Sequence, residues 1–233
     1  MRVVWLEITD DPGLWARVGF EVVDGVTVIN GVEHRLVGPG AASGDGGADE
    51  TATGVVGWGV SGVPADVGDI AGITTTVVEE PPVLTGEERH PNGVYRTDHL
   101  VVRTTDTPAT AAAFEALGLE IKGKRSTASG GAKVDMRFAW AGDTLLEIVG
   151  PPEPASASGE SAASGESTAA ESAAARIAGI AYVSADLDGT AARLGDWSTT
   201  PIDAVQPGRR IAALRTEAGS SVPMAFMTPH VRR

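Results

Sequence analysis

The sequence predicts an α+β fold assembled from repeated βαβββ units, and three observations predict it. Asp98 to Asp106 and Leu145 to Pro151 each read as a strand carrying one metal-capable side chain among apolar neighbours. Alternation places His99, Val101 and Arg103 on one face of the first, and Leu145, Glu147 and Val149 on one face of the second. Between them lie an Ala-rich helical stretch and two further strand-like runs, room for one βαβββ unit whose first and last strands sit side by side. The third observation is a weak internal repeat. Thr105-Asp106-Thr107-Pro108 with Gly118-Leu119-Glu120-Ile121 is echoed by Thr9-Asp10-Asp11-Pro12 with Gly19-Phe20-Glu21-Val22. It is echoed again by Ile180 to Asp186, Ala191-Ala192-Arg193-Leu194-Gly195 and a closing Met224 to Pro229.

Taken in order, residues 1–95 read as a degenerate first copy. Apolar Val32 to Val37 and Val55 to Trp58 flank Pro39 to Thr53, which is too rich in Gly, Ala and Asp to pack and reads as a long loop between strands. Ala71 to Val78 is a strand by its β-branched content, ended by Glu79-Glu80-Pro81-Pro82. Pro91-Asn92-Gly93 is a turn. Residues 96–152 form the unit carrying His99 and Glu147. In it Asp135 to Trp140 alternates, with Met136, Phe138 and Trp140 on one side; Asp135 and Arg137, on the other, are expected to face a solvated cavity. Residues 153–175 are a disordered linker, because from Glu153 to Ala174 the chain is almost wholly Ala, Ser, Gly and Glu and cannot bury enough apolar surface to order itself. Residues 176–233 form the last unit.

A chain of 233 residues with 42% apolar content is long enough to bury a site. No cysteine is present, which excludes disulfides, thiolate nucleophiles and Cys-based metal sites and leaves His, Asp and Glu to hold any ion. The net charge of −13 argues against nucleic acid and anionic membranes as partners. Met1 to Glu7 has no signal-peptide core and no run approaches a membrane span, so the expected location is the cytoplasm.

The two strands and the helix between them resemble the vicinal oxygen chelate superfamily, the glyoxalase, bleomycin resistance and extradiol dioxygenase group. The resemblance implies mixed sheets that curl into a cup, with a divalent metal held inside by residues of first and fourth strands. Matched by strand position, His99 and Glu147 are the implied metal ligands and Glu147 the implied catalytic proton shuttle. Imidazole plus carboxylate suits Zn, Fe, Mn, Ni or Co. The last unit departs from the pattern: Gly179 and Ala225 stand at the positions matching His99 and Glu147, and substrate is expected to lie against these small residues. A third ligand from His34, His90 or His230 is not placed by spacing.

Glu147, flanked by apolar residues, requires a cation, an Arg or a raised pKa if buried, and Arg137 is the expected non-metal partner. In Gln206 to Leu214, alternation sends Arg209 or Arg210 inward toward a substrate carboxylate, or both lie outward and solvated. Trp5, Trp15, Trp58, Trp140 and Trp197 read as core or rim, and His90 as a surface residue. The expected function is that of a glyoxalase-like lyase, isomerase or dioxygenase acting on a small oxygenated metabolite. The alternatives are a metal-free, drug-sequestering binding protein, and a homodimer subunit whose site is completed across the dimer because an odd number of copies leaves one unpaired.

Overall fold

The computed structural model describes residues 1–40, 53–82, 89–129, 132–152 and 175–230. The expected linker, Glu153 to Ala174, and most of the Pro39 to Thr53 loop lie outside the described residues. Two mixed sheets make up the body. Residues 94–227 supply the larger: β7 (Val94–Arg103), α2 (Thr107–Ala116), β8 (Ile121–Ser129), β9 (Ala132–Ala141), β10 (Thr144–Gly150), β11 (Arg176–Ser184), α3 (Leu187–Leu194), β12 (Ile202–Asp203), β13 (Arg210–Ala213) and β14 (Met224–Met227). The strand order β12-β13-β14-β11-β7-β10-β9-β8 puts two βαβββ units back to back, joined by antiparallel β7 and β11.

The joints between strand and helix repeat down to single hydrogen bonds. Asp106 caps α2 by accepting from Ala109 N at 2.9 Å, and Asp186 caps α3 by accepting from Gly189 N at 2.9 Å. Behind the caps, Thr104 and Thr110 hydroxyls meet at 2.7 Å, as do those of Ser184 and Thr190. The short polar side chains at these places make the repeat legible, because each satisfies backbone groups that a helix end would otherwise leave bare.

The N-terminal sheet is built from β1 (Arg2–Ile8), α1 (Pro12–Arg17), β2 (Val26–Ile29), β3 (Val32–Leu36), β4 (Val55–Ser61), β5 (Asp69–Ile70) and β6 (Ile73–Val77), in the order β2-β3-β1-β4-β6-β5. Its strand directions reproduce the inner six strands of the larger sheet: β1 runs parallel to β3, antiparallel to β4, and β4 parallel to β6. Residues 1–95 were expected to hold one worn unit; they hold two shortened ones paired through β1 and β4. Among the described residues the strands therefore group as four units and not three.

One continuous core joins the sheets. Tyr182 of β11 packs edge-on against Trp15 and Phe20, and Trp58 of β4 against Phe114 of α2. Trp5, Trp15 and Trp58 are buried, whereas Trp140 is 43% exposed. His90 is buried, contrary to expectation: its ring accepts from Glu21 N and lies 3.1 Å from Val28 O, tying the loop before β7 to the N-terminal sheet. Among the described residues, no helix is long and apolar enough to cross a membrane.

Two consequences are measurable. A Cβ on Gly150 would collide with the backbone carbonyl of Thr104, which cannot swing aside as a flexible side chain can. Gly150→Ala should lower unfolding free energy by about 1–3 kcal/mol in a urea titration, the usual cost of overpacking; no loss would mean that the β10 end is looser than drawn. His34, wholly buried beside Trp15 and Tyr182, has its pKa lowered from 6.5 to about 3, chiefly by burial. The unfolded chain therefore binds this proton and the folded chain does not, so stability is complete above pH 6.5 and is lost as pH falls toward 3. The loss is roughly 4–5 kcal/mol at its limit, and His34→Leu should flatten the stability curve in that window.

Candidate active site

A cavity of about 420 Å³ opens on the inner face of the larger sheet. Strand alternation and register decide which side chains enter it. β10 pairs with β7 in parallel, Glu147 opposite Val101 and Leu145 opposite His99, so all four project to one side while Leu146, Ile148, Leu100 and Val102 are buried beneath α2. His99 and Glu147 both line the cavity, with His99 Nε2 3.4 Å from Glu147 Oε2 and their side chains 12% and 19% exposed. On β9, Phe138 pairs with Glu147 and Met136 with Val149, so these two apolar side chains are the cavity floor. Arg125 and Thr127 rise from β8, Ile202 and Asp203 from β12, and Ile211 and Met227 from β13 and β14.

The other sequence candidates fall in several places. Arg137, expected beside Glu147, alternates to the opposite face of β9 from Phe138 and donates to the buried Asp135 at 3.3 Å. Asp135 accepts from Ser126 as well and lies 3.6 Å from Lys124 Nζ, so this face is a self-paired polar patch and not a wall of the cavity. Arg210 points outward to Asp188 of α3 at 2.7 Å, where it serves no cavity. Arg209 turns inward and is buried.

Gly179 and Ala225 occupy the pseudo-symmetric places of His99 and Glu147. Gly179 pairs with Val101, Ala181 pairs with both His99 and Ala225, and the same offset relates His99, Val101 and Glu147. Neither small residue borders the cavity. A Cβ on Gly179 would meet Pro223 O at 3.4 Å and Val101 Cβ at 3.7 Å. The space leans instead toward β8 and the β12 loop, so the expectation that substrate rests on Gly179 and Ala225 is not met by the geometry.

Alternation in the sequence hid Asp98. Thr97 pairs with Tyr182 and His99 with Ala181, two neighbours on β11, which leaves Asp98 as the extra residue of a β-bulge. A bulge re-aims side chains, and Asp98 turns to the His99 side, where its Oδ2 accepts from Nδ1 at 2.9 Å. Arg209, arriving from the other unit, donates to Asp98 Oδ1 at 2.8 Å and to Oδ2 at 3.1 Å. Both side chains are 2% exposed. Burial opposes ionisation of Asp98, but hydrogen bonds from His99 and Arg209 and the Arg209 charge outweigh it and hold the carboxyl well below the usual carboxylate range. Arg209 Nη1 also donates to Gln206 Oε1 at 3.2 Å and lies 3.2 Å from His230 Nε2, whose pKa is lowered by burial and then by the Arg209 charge. His34 and His90 lie in the interface between the sheets, away from the cavity.

Arg125 forms no ion pair or hydrogen bond among the described residues. A signal for it existed in the sequence: Lys122-Gly123-Lys124-Arg125 is a basic run in an acidic chain. Among the described residues, no group of three His, Asp or Glu is arranged to hold a metal.

No protein-family model matches the sequence, nor does any curated protein. Solved structures do. A triple mutant of 4-hydroxymandelate synthase from Streptomyces coelicolor matches 100% of this chain and 93% of its own, with TM-score 0.64 and 13% identity. Methylmalonyl-CoA epimerase from Mycobacterium tuberculosis matches 60% of this chain and 91% of its own (TM-score 0.42, 13% identity). The hypothetical protein BH1468 from Bacillus halodurans C-125 matches 59% and 96% (TM-score 0.43, 16% identity). The first likeness spans both sheets, and the chain has the vicinal oxygen chelate fold.

The buried pair gives a direct stability test. Asp98→Ala leaves the Arg209 guanidinium buried without a counter-charge and should cost about 3–5 kcal/mol. Asp98→Ala combined with Arg209→Met should recover most of that loss in the same denaturation assay. A cost below 1 kcal/mol for the single variant would show the pair to be solvated.

Proposed function

We propose that the protein is a small-molecule enzyme of the vicinal oxygen chelate type, acting on a small oxygenated metabolite in the cavity of the larger sheet, with His99 and Glu147 as the pair that holds a divalent ion. The observation that carries this reading is the approach of His99 Nε2 to Glu147 Oε2, 3.4 Å apart on one wall of the cavity. An imidazole nitrogen facing a carboxylate at this distance is satisfied either by a proton on the nitrogen or by a cation held between the two. A divalent ion at this place would be held by His99 Nε2 and Glu147 Oε2. Imidazole and carboxylate donors would suit Zn, Fe, Mn, Ni or Co, and an ion held by so few protein groups would be open to the oxygens of a chelating substrate. Asp98 does not compete, because its oxygens are engaged by His99 and Arg209.

When bound, such an ion supplies Lewis-acid stabilisation of charge on a substrate oxygen. The chain's own residues account for the rest. Glu147, part-exposed at the cavity wall, is placed to take a proton from a bound molecule and return it, the service that isomerase or lyase chemistry requires. Met136, Phe138, Ile211 and Met227 exclude water from one side of the ligand. Arg125, which lines the same cavity and forms no ion pair or hydrogen bond among the described residues, favours a metabolite that carries a carboxylate or another anionic group.

A second reading, a metal-free binding protein, is favoured by a specific observation: Gly179 and Ala225 leave the pseudo-symmetric half of the sheet without a donor. Calorimetric titration of the purified chain with Zn²⁺, Mn²⁺ and, anaerobically, Fe²⁺ separates the two. One ion should bind stoichiometrically, and His99→Ala and Glu147→Ala should each weaken it at least about tenfold without unfolding the chain. No binding by the folded wild type would leave the sequestering reading standing. A thermal-shift screen of 2-oxo and 2-hydroxy acids against their amides should show stabilisation by the acids alone, and Arg125→Ala should abolish it.

A further inference from the structure

His99 carries the chemistry proposed above, yet the structure fixes its ring from behind, through Asp98 and Arg209, neither of which lines the cavity. Asp98 reaches the ring only because the bulge in β7 turns it to the His99 side. Its partner Arg209 stands just before β13, in the unit that supplies no donor of its own. That arginine is itself anchored, its Nε donating to Thr228 O at 2.9 Å and its Nη1 to Gln206 Oε1 at 3.2 Å. A guanidinium cannot lose its charge in a protein, and its fork binds both carboxylate oxygens of Asp98.

We infer that Asp98 and Arg209 are positioning residues that hold His99 as its Nδ1–H tautomer and aim the Nε2 lone pair at Glu147. A carboxylate locked to an arginine only accepts, so the 2.9 Å contact from His99 Nδ1 requires the hydrogen to be on Nδ1. In the neutral ring the lone pair is then on Nε2, the nitrogen 3.4 Å from Glu147. Flipping the ring would set a carbon against Asp98 and forfeit that bond. A carboxylate behind an imidazole also raises its basicity as a ligand, and such partners are worth 10–100-fold in metal affinity. A buried ion pair adds little to stability compared with apolar residues of like size, so the consequence of this one lies in what it orients. The unit without ligands thus sets the competence of the unit with them, through Arg209.

The inference rests on His99 acting with Glu147, and the test keeps the two apart. Long-range ¹H–¹⁵N spectra of the full, uniformly labelled chain at mildly alkaline pH report the tautomer of each of its four histidines, with His99 assigned through His99→Gln. The expected pattern for His99 is Nδ1–H, and an Nε2–H pattern overturns the inference. The double variant Asp98→Ala/Arg209→Met removes both charges and keeps the fold testable by its melting curve. It should lose the tautomer preference and bind Zn²⁺ 10–100-fold more weakly than wild type by calorimetry. Asp98→Asn/Arg209→Gln keeps an acceptor behind the ring and should restore the Nδ1–H pattern with a smaller loss of affinity. Equal Zn²⁺ affinity in wild type and the Ala/Met variant overturns the inference. If wild type binds no Zn²⁺ or other ion, the metal reading falls, while the tautomer spectra still decide the role of Asp98.

Discussion

Everything at the candidate site depends on how β7 and β11 pair. They are the seam between two units, antiparallel and at the centre of eight strands, and their register slips three times. Without slips, strict alternation would keep Asp98 on the face of Leu100 and Val102, beneath α2, where an ionised carboxylate has no partner. The slip at Asp98 brings the carboxylate round to the imidazole. It also brings Asp98 within reach of a guanidinium more than a hundred residues later in the chain, so a local backbone irregularity joins the two units electrostatically.

The fold was legible where short polar side chains cap a strand-to-helix joint. Asp106 and Asp186 mark the start of α2 and α3, Gly118 and Gly195 follow their ends, and the positive φ of these glycines is a conformation other residues adopt at a cost. The same logic failed in the first ninety residues, because β4 to β6 carry a turn where the other units carry a helix, so no Ala-rich stretch marked a second unit there. Pairing through β1 and β4 was invisible to a pattern search, since it is a property of register and not of composition.

Of the site, His99 and Glu147 share a wall because β7, from His99 onward, keeps an unbroken parallel register with β10. The arginines were harder. Arg137 obeys the period of two, but the face assigned to the cavity was the wrong one: the apolar Met136 and Phe138 line it, and the polar side is sealed by Asp135 and Ser126. Arg209 and Arg210 are neighbours whose fates are decided by Asp98 and Asp188, one buried and one exposed, and neither partner is nearby in sequence. Sequence periodicity reports which way a side chain points from a regular strand. It is silent on bulges and on charges brought from elsewhere.

The N-terminal sheet reproduces the inner six strands of its larger counterpart, and among the described residues it has nothing matching β8 or β12. Those are the outer strands that give the cavity Arg125, Thr127, Ile202 and Asp203. One half of the molecule is thus a vessel and the other the same vessel with its rim cut away. Duplication followed by trimming would produce this division, in which the shortened copy keeps the seam and the packing face and the longer copy keeps the outer strands that border the 420 Å³ cavity. Adding edge strands to the N-terminal sheet is then a route to a second walled face on the same scaffold.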